Sequence, residues 1–358
     1  MYNERVDIFR IDSHKLMYHV DRVSNWLKGR DVFPIYVEVG LFGGCNHRCI
    51  FCAFDFLRYK PVILEKQYIK RFVFQAAKKG VKAILYSGEG EPLMHKDAAD
   101  IISYTKKNGI EVALVTNGVM LNKEISKKVL ENLSWIKVSL DAGTKNTYAL
   151  IHGTTKEDFN IVLNNLKQAV KIKKRNKYSC SIGVQSLLIP QNIKEMENLA
   201  EILKDIGVDY LVIKPYCLHN LSKNKIGFSL KLKNLHFLEE KLEGYSDNAF
   251  RVILRKNAIS KFDKPKLYDA CLGLSFAAHV SADGEVYPCN AFVGMKKYSY
   301  GNIKEDGILD IWLGTRRKII IDRFKQMDVN KCRGACRFDE INRYLWDIKH
   351  PGPHVNFI

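Results

Sequence analysis

Residues 35–52 read Ile35-Tyr36-Val37-Glu38-Val39-Gly40-Leu41-Phe42-Gly43-Gly44-Cys45-Asn46-His47-Arg48-Cys49-Ile50-Phe51-Cys52. The run 35–41 is mostly apolar and ends at a glycine-rich stretch, as a buried strand of a parallel sheet does. Gly43 and Gly44 then allow close backbone approach, and three cysteines follow with CxxxCxxC spacing. Three thiolates can bind three irons of a cubane cluster and leave the fourth open for chemistry, where a fourth cysteine would close it. A zinc site completed by His47 is the alternative, although zinc knuckles usually run CxxC.

The same texture continues on the C-terminal side. Further apolar runs suited to buried strands occur at 83–86, 112–115, 135–140, 182–188 and 210–213. Helical patterns separate them: Ile69, Phe72, Val73, Ala76; Phe159, Val162, Leu163, Leu166; and Met196, Leu199, Ala200, Leu203. Strands alternating with amphipathic helices imply parallel βαβ units. Six units are too few to close an eight-stranded barrel, so the expected fold is α/β, a partial (β/α)6 TIM-like barrel over 34–217. In such folds the chemistry gathers at the C-terminal ends of the strands. Residues 1–33 form an N-terminal helical extension, with Leu16, Val20, Val23 and Leu27 at helical spacing behind Asp12 or Ser13 as cap. It is expected to pack against the barrel. Residues 218–262 read as a lysine-rich linker with one helix. From 263 to 358 short strands, an Asp283-Gly284 turn and clustered cysteines indicate a small α+β domain stapled by metal.

Composition narrows the class. The chain has 57 Lys and Arg against 39 Asp and Glu, a net charge of +18, which invites a nucleic-acid partner. The excess, however, lies on helix faces, as at Lys123, Lys127, Lys128 and Lys171, Lys173, Lys174, which reads as a solvated surface. A phosphorylated or nucleotide-linked substrate also suits this charge. No run of apolar residues is long enough for a membrane helix, and Met1-Tyr2-Asn3-Glu4-Arg5 does not open a signal peptide. A cytoplasmic protein is expected, whose nine cysteines are metal ligands before they are disulfides.

Cys45-Asn46-His47-Arg48-Cys49-Ile50-Phe51-Cys52 resembles the CxxxCxΦC signature of the radical S-adenosylmethionine (SAM) superfamily, with Phe51 as the aromatic Φ. Ser87-Gly88-Glu89-Gly90-Glu91-Pro92 resembles the superfamily's GGEP motif, with Glu89 in place of a glycine. The resemblance implies a 4Fe–4S cluster on Cys45, Cys49 and Cys52 whose open iron chelates SAM. Reductive cleavage then gives methionine and a 5′-deoxyadenosyl radical that abstracts hydrogen. It also implies SAM contacts from Phe51 and from the loop Gly88, Glu89, Gly90 and Glu91, with Glu91 at the ammonium. Thr116, Asn117, Ser139 and Asp141 would lie at the ribose and carboxylate. Gln185 and Lys214 are candidate barrel-lining groups. Cys271, Gly284, Cys289, Cys332 and Cys336 resemble the twitch domain, a shortened SPASM extension, and imply one auxiliary 4Fe–4S cluster. The closing CX3C departs from a CX2C spacing, which puts Cys332 in question, and structural zinc fits the same four sulfurs.

Two cysteines remain. Cys180, at the start of strand five, is expected to be packed. Cys217 follows strand six in Lys214-Pro215-Tyr216-Cys217, on the active-site side. It is either a packed thiol or a hydrogen-atom donor that quenches a substrate radical and so epimerises a carbon. The expected activity is therefore that of a radical SAM epimerase or oxidoreductase on a small polar molecule such as a sugar, cyclitol or aminoglycoside-like substrate. Dehydrogenation, with the auxiliary cluster as electron acceptor, is one alternative. Peptide modification is another, disfavoured because the short N-terminus lacks a leader-binding domain, and nucleic-acid modification rests on charge alone. A flavodoxin or ferredoxin is the expected reductant.

Overall fold

The computed structural model describes residues 9–11, 13–224, 226, 235–262 and 264–357. Among these, nine strands form one sheet: β1 (Tyr36–Val39), β2 (Ala83–Tyr86), β3 (Glu111–Thr116), β4 (Trp135–Ser139), β5 (Ser181–Leu188), β6 (Tyr210–Pro215), β7 (Arg251–Leu254), β8 (Ala277–Val280) and β9 (Val286–Tyr287). Their spatial order is β7-β6-β5-β4-β3-β2-β1-β8-β9. Every neighbouring pair is parallel except β8 and β9, which form an antiparallel hairpin.

Each crossover helix turns its apolar stripe onto this sheet. The helix Lys66–Lys78 buries Ile69, Phe72, Val73 and Ala76, and Met196–Ile206 buries Met196, Leu199, Ala200 and Leu203. Full burial of one such aliphatic side chain contributes about 1.5–3 kcal/mol, which outweighs the weak propensities of short segments. Along β4 the alternation is visible residue by residue. Ile136 and Val138 are buried towards the helices, while Trp135, Lys137 and Ser139 face the barrel interior half-buried.

Expectations for the linker, the cysteine-rich region and the N-terminal helix are corrected. The segment taken as a linker carries β7, which extends the barrel to seven parallel strands, and β8 of the cysteine-rich region pairs with β1 in the same sheet. The N-terminal helix runs Val20–Leu27 behind a 3-10 turn Leu16–Tyr18, with His19 at its N-cap. Ser13 is therefore not the cap, and Asp12 lies outside the described residues. Leu16 and Val23 pack with Val32, Ile35, Phe276 and Leu345, so this extension rests mainly on the C-terminal region, while Val20 is exposed. No helix among the described residues is long and apolar enough to cross a membrane.

Candidate active site

The three-cysteine loop leaves the end of β1 and is held by backbone bonds. The N–H of Arg48 donates to His152 O at 2.9 Å, Ile50 N–H to Ile151 O at 2.9 Å, and Cys52 N–H to Cys49 O at 3.1 Å. The receiving helix, Lys145–His152, starts at the Thr144 cap and stops at Gly153, whose φ is +57°. A Cβ on Gly153 would meet Arg48 O at 2.3 Å, so this stop also makes room for the loop. On the other side, Glu91 N–H donates to Gly44 O at 2.9 Å. Gly90 (φ +74°) passes so close that a Cβ would lie 2.0 Å from Phe42 O.

Burial raises all three thiols above their ordinary range, Cys45 to about 11, and charge on Cys52 adds to the penalty on Cys45 and Cys49. A trio that resists ionisation singly and jointly becomes favourable as thiolates once a cationic metal centre neutralises it. Their polar neighbours suit sulfur ligands. His152 Nδ1 lies 3.4 Å from Cys49 Sγ, His47 N–H donates to Cys45 Sγ at 3.4 Å, and the Tyr59 hydroxyl bonds Cys52. Asn117 Nδ2 stands 3.9 Å from Cys45 Sγ. His152 Nε2 accepts from the Asp141 N–H at 3.3 Å, which leaves the Nδ1 proton to point at Cys49. Burial, and then His47, lower the His152 imidazole to about 3, so it is neutral. His47, Cys49 and His152 also bring ligand atoms within 4.8 Å of one another. Sequence reading missed His152 and Tyr59, because His152 lies 103 residues from Cys49 and shares no spacing with the loop.

The acids expected around SAM are engaged elsewhere. Glu91 Oε1 accepts from Thr116 Oγ1 at 2.6 Å and Leu93 N–H at 3.0 Å, and its Oε2 from Asn117 N–H at 2.7 Å. It therefore splints the loop after β2 to the end of β3. Asp141 Oδ1 accepts from Leu187 N–H at 2.5 Å, its Oδ2 lies 3.4 Å from His152 Nε2, and burial raises the carboxyl to about 7. Glu89, the departure from the glycine motif, turns to the hairpin: Oε1 accepts from Ala282 N–H at 2.5 Å and Oε2 lies 3.3 Å from His279 Nε2. All three are 5% exposed or less. The carboxylates of Glu89, Glu91 and Asp141 thus act as internal struts between neighbouring loops. The Thr116 hydroxyl is taken by Glu91, and Asn117 donates to Asn46 Oδ1 at 2.7 Å. Gly88 and Gly90 remain backbone surface in that loop, and Ser139 is half-buried beside Gln185 in register.

His279 completes a charge network across the two cysteine regions. Burial alone would lower its imidazole, but Glu38 and Glu89 outweigh this and raise it to about 9. Glu38 also pairs with Arg337 at 2.5 Å and accepts from Ser87 Oγ at 3.1 Å. Burial opposes its ionisation, yet Arg337 and His279 hold it below the usual carboxylate range.

The second cysteine group converges. Cys271, Cys289, Cys332 and Cys336 line one small cavity with Phe292, Phe324, Met327 and Phe338. Burial first, and the neighbouring sulfurs next, raise Cys271 and Cys289 to about 12. The Asn342 amide stands 3.5 Å from Cys271 Sγ, and Phe338 N–H donates to Cys336 Sγ at 3.4 Å. Cys332 hydrogen-bonds through its thiol to Cys336, so the CX3C spacing does not exclude it from the quartet. Gly284 makes the β8–β9 turn at φ +90°. Four half-buried cysteines facing one void fit a tetracoordinate metal group.

A larger cavity of about 410 Å³ joins the two regions. Phe51 of the first loop, Gln185, Lys214 and Cys217 line it, together with Cys289, Cys332 and Cys336. Cys217 is half-buried, and its carbonyl accepts from Arg333 at 3.2 Å. Cys180 is buried behind β5, as expected for a packed thiol.

A parallel partial barrel with a three-cysteine loop after its first strand defines a class of cluster-bearing enzymes, and comparison with known proteins agrees. Residues 39–210 match the radical SAM superfamily model, and 271–337 match the SPASM iron–sulfur cluster-binding domain. The chain belongs to the radical SAM superfamily and carries a C-terminal SPASM/twitch domain; it is a radical SAM enzyme whose cofactors are SAM and 4Fe–4S clusters. It is 25% identical over 334 residues to the tungsten-containing aldehyde ferredoxin oxidoreductase cofactor-modifying protein of Pyrococcus furiosus, covering 85% of this chain and 89% of the relative. It is 24% identical over 340 residues to the Fe-coproporphyrin III synthase of Methanosarcina barkeri, covering 84% and 77%. A probable GTP 3′,8-cyclase of Sulfurisphaera tokodaii is 26% identical over 284 residues, covering 78% and 85%. Among solved structures, Streptococcus suis SuiB bound to SAM superposes with a TM-score of 0.64 at 18% identity, covering 85% of this chain and 72% of SuiB. The SAM-bound anSMEcpe gives 0.59 at 18% identity, covering 87% and 88%. Both show the fold.

Proposed function

We propose that the chain abstracts a hydrogen atom from a small molecule held in the 410 Å³ cavity. The observation that carries this reading is that one cavity is lined by Phe51 of the SAM-cluster loop, by Cys217 and by three sulfurs of the auxiliary quartet. Cys45, Cys49 and Cys52 would hold the SAM cluster, and Cys271, Cys289, Cys332 and Cys336 the auxiliary one. When bound, the SAM-loaded cluster supplies the 5′-deoxyadenosyl radical that takes the substrate hydrogen. Phe51 would pack on the adenine, while Asn117, Ser139, Gln185 and the Gly88–Gly90 backbone border the SAM site. Cys217 then gives its S–H hydrogen atom to the carbon radical. A new C–H bond forms, the S–H bond breaks, and one electron with one proton from a ferredoxin- or flavodoxin-type reductant restores the thiol. The net reaction on the substrate is an epimerisation. The names of the relatives concern GTP, a coproporphyrin and an enzyme cofactor, which favours a small organic molecule over a peptide.

The test uses anaerobically reconstituted enzyme in D2O with the dialysable small-molecule fraction of a lysate, and separately with its peptide fraction. The small-molecule fraction should stimulate 5′-deoxyadenosine release and gain one deuterium in one product. Cys217→Ala should still release 5′-deoxyadenosine but form no deuterated epimer. An oxidised product without solvent deuterium would make the reaction a dehydrogenation, and stimulation by the peptide fraction alone would overturn the small-molecule reading.

A further inference from the structure

The cavity walls carry mainly positive charge. Six cationic side chains line it, Lys137, Lys214, Arg255, Lys261, Arg333 and Arg337, against one carboxylate, Glu38. Arg337 is matched by Glu38, and Lys261 lies 3.2 Å from Glu340. Lys137, Lys214, Arg255 and Arg333 come from separate elements that converge on one space, Lys137 and Arg255 with contacts of their own. Lys137 points inward from β4, Lys214 stands at the end of β6, Arg255 follows β7, and Arg333 sits between the last two cysteines. Asp141, whose charged form Lys214 favours, has its Oδ1 turned to the Leu187 N–H. Arg333 donates to Asn290 and to the Cys217 carbonyl, yet its buried Nε has no hydrogen-bond partner.

We propose, on the reading that this cavity holds the substrate, that the substrate is a polyanion whose phosphate or carboxylate groups are gripped by Lys137, Lys214 and Arg255 on the barrel side and by Arg333 on the auxiliary side. Like charges gathered in a concave, partly desolvated wall repel one another and focus a positive potential that an anion relieves. The wall itself records this repulsion: burial, and then Arg255, Lys137, Arg337 and Arg333, push the Lys214 ammonium down to about 7. Guanidinium groups facing ammonium groups across a cavity suit planar or tetrahedral oxyanions, which accept several charge-assisted hydrogen bonds at once. The same wall repels a polyamine, so an aminoglycoside-like substrate is set aside. Placing the anionic groups between β4, β6 and the 332–336 loop leaves the rest of the molecule to reach towards Phe51 and Cys217, which line the same cavity.

Isothermal titration of the SAM-loaded, cluster-reconstituted enzyme tests this with three probes: tripolyphosphate, propane-1,2,3-tricarboxylate and 2-deoxystreptamine. One or both anions should bind at one site per chain, their ratio telling phosphate from carboxylate recognition, and the diamine should not bind. Lys214→Met should weaken the anion by about tenfold or more, the size of one charge-assisted hydrogen bond. Lys214→Arg should retain it, and the exposed pair Lys171→Met with Lys174→Met should leave it unchanged. Iron content is counted on each sample, so that a misfolded variant is recognised, and the parent and Lys214→Arg then still carry the test. Diamine binding, anion binding unaffected by Lys214→Met in a protein with full iron content, or equal loss in the surface pair would overturn the proposal. A parent that reductively cleaves SAM but binds neither anion sinks the polyanion and keeps the proposed function. A parent that binds the anion but cleaves no SAM does the reverse.

Discussion

The two cysteine groups are made of the same ligand atom and differ in almost everything around it. Cys45, Cys49 and Cys52 sit half-buried in a loop whose neighbours are polar, the imidazole of His152, the Tyr59 hydroxyl and the Asn117 amide. Cys271, Cys289, Cys332 and Cys336 sit against Phe292, Phe324, Met327 and Phe338. Three ligands with hydrogen-bond donors at hand suit a cluster that must bind a charged co-substrate and accept an electron. Four cysteines in a mainly apolar wall, with the Asn342 amide at Cys271, suit a cluster that is coordinatively closed. The difference is then one of ligand number and local polarity rather than of cofactor.

Changing each group separately is the strongest way to break this comparison. Cys45, Cys49 and Cys52 replaced together by Ala should lower iron from about eight to about four per chain and abolish reductive SAM cleavage. Replacing the other four should also remove about four irons while SAM still perturbs the remaining cluster. Iron assay and 5′-deoxyadenosine chromatography read both. Zinc in the second site after anaerobic purification would show that the two regions hold different metals.

The contact between the regions is expected to depend on pH. His279 titrates near 6.5 when free and near 9 in the fold, between Glu38 and Glu89. Its contribution is complete below pH about 6.5 and is lost as pH rises through about 9. By linkage it is on the order of 3 kcal/mol at most. A denaturation series from pH 6 to 10 should show that loss in the parent and not in His279→Gln. A parent curve flat across that range would mean the imidazole is neutral in the fold. A smaller effect is expected from Glu91→Gln. The amide nitrogen cannot accept from Asn117 N–H, and one buried unsatisfied donor costs about 1–3 kcal/mol. Urea midpoints should fall accordingly, with SAM affinity changed only through the displaced loop. The smallest effect is electronic: His152→Phe removes a donor to Cys49 and should make the midpoint potential of the SAM cluster more negative, leaving the auxiliary cluster unchanged in spectroelectrochemistry.

Much of this was legible in the sequence, and the failures have physical causes. β1 to β6 were readable because each centres on a short apolar run set between helical patterns, although Lys137 interrupts β4. β7 was not, because Arg251-Val252-Ile253-Leu254 is four half-buried residues beside a lysine-rich stretch. Nor was the pairing of β8 with β1, a contact far apart in the chain that no local pattern encodes. The cysteine groups were legible from spacing, since ligation constrains spacing. The partners of the acids were not legible, because a motif gives position and not side-chain direction: Glu89, Glu91 and Asp141 are all hydrogen-bonded inside the protein. A signal existed for Glu89. An acid standing where a glycine is usual needs a buried partner, and His279 is the one ionisable residue in the strand Ala277–Val280.

The claim that matters most is that SAM meets the open iron of the three-cysteine cluster and leaves the four-cysteine cluster alone. Mössbauer spectra of 57Fe-reconstituted enzyme with and without SAM test it directly. The expected result is a changed isomer shift for about one iron in eight, retained when the auxiliary cysteines are replaced and absent when Cys45, Cys49 and Cys52 are. A SAM-dependent shift that survives the loss of Cys45, Cys49 and Cys52 would contradict the assignment of the two regions.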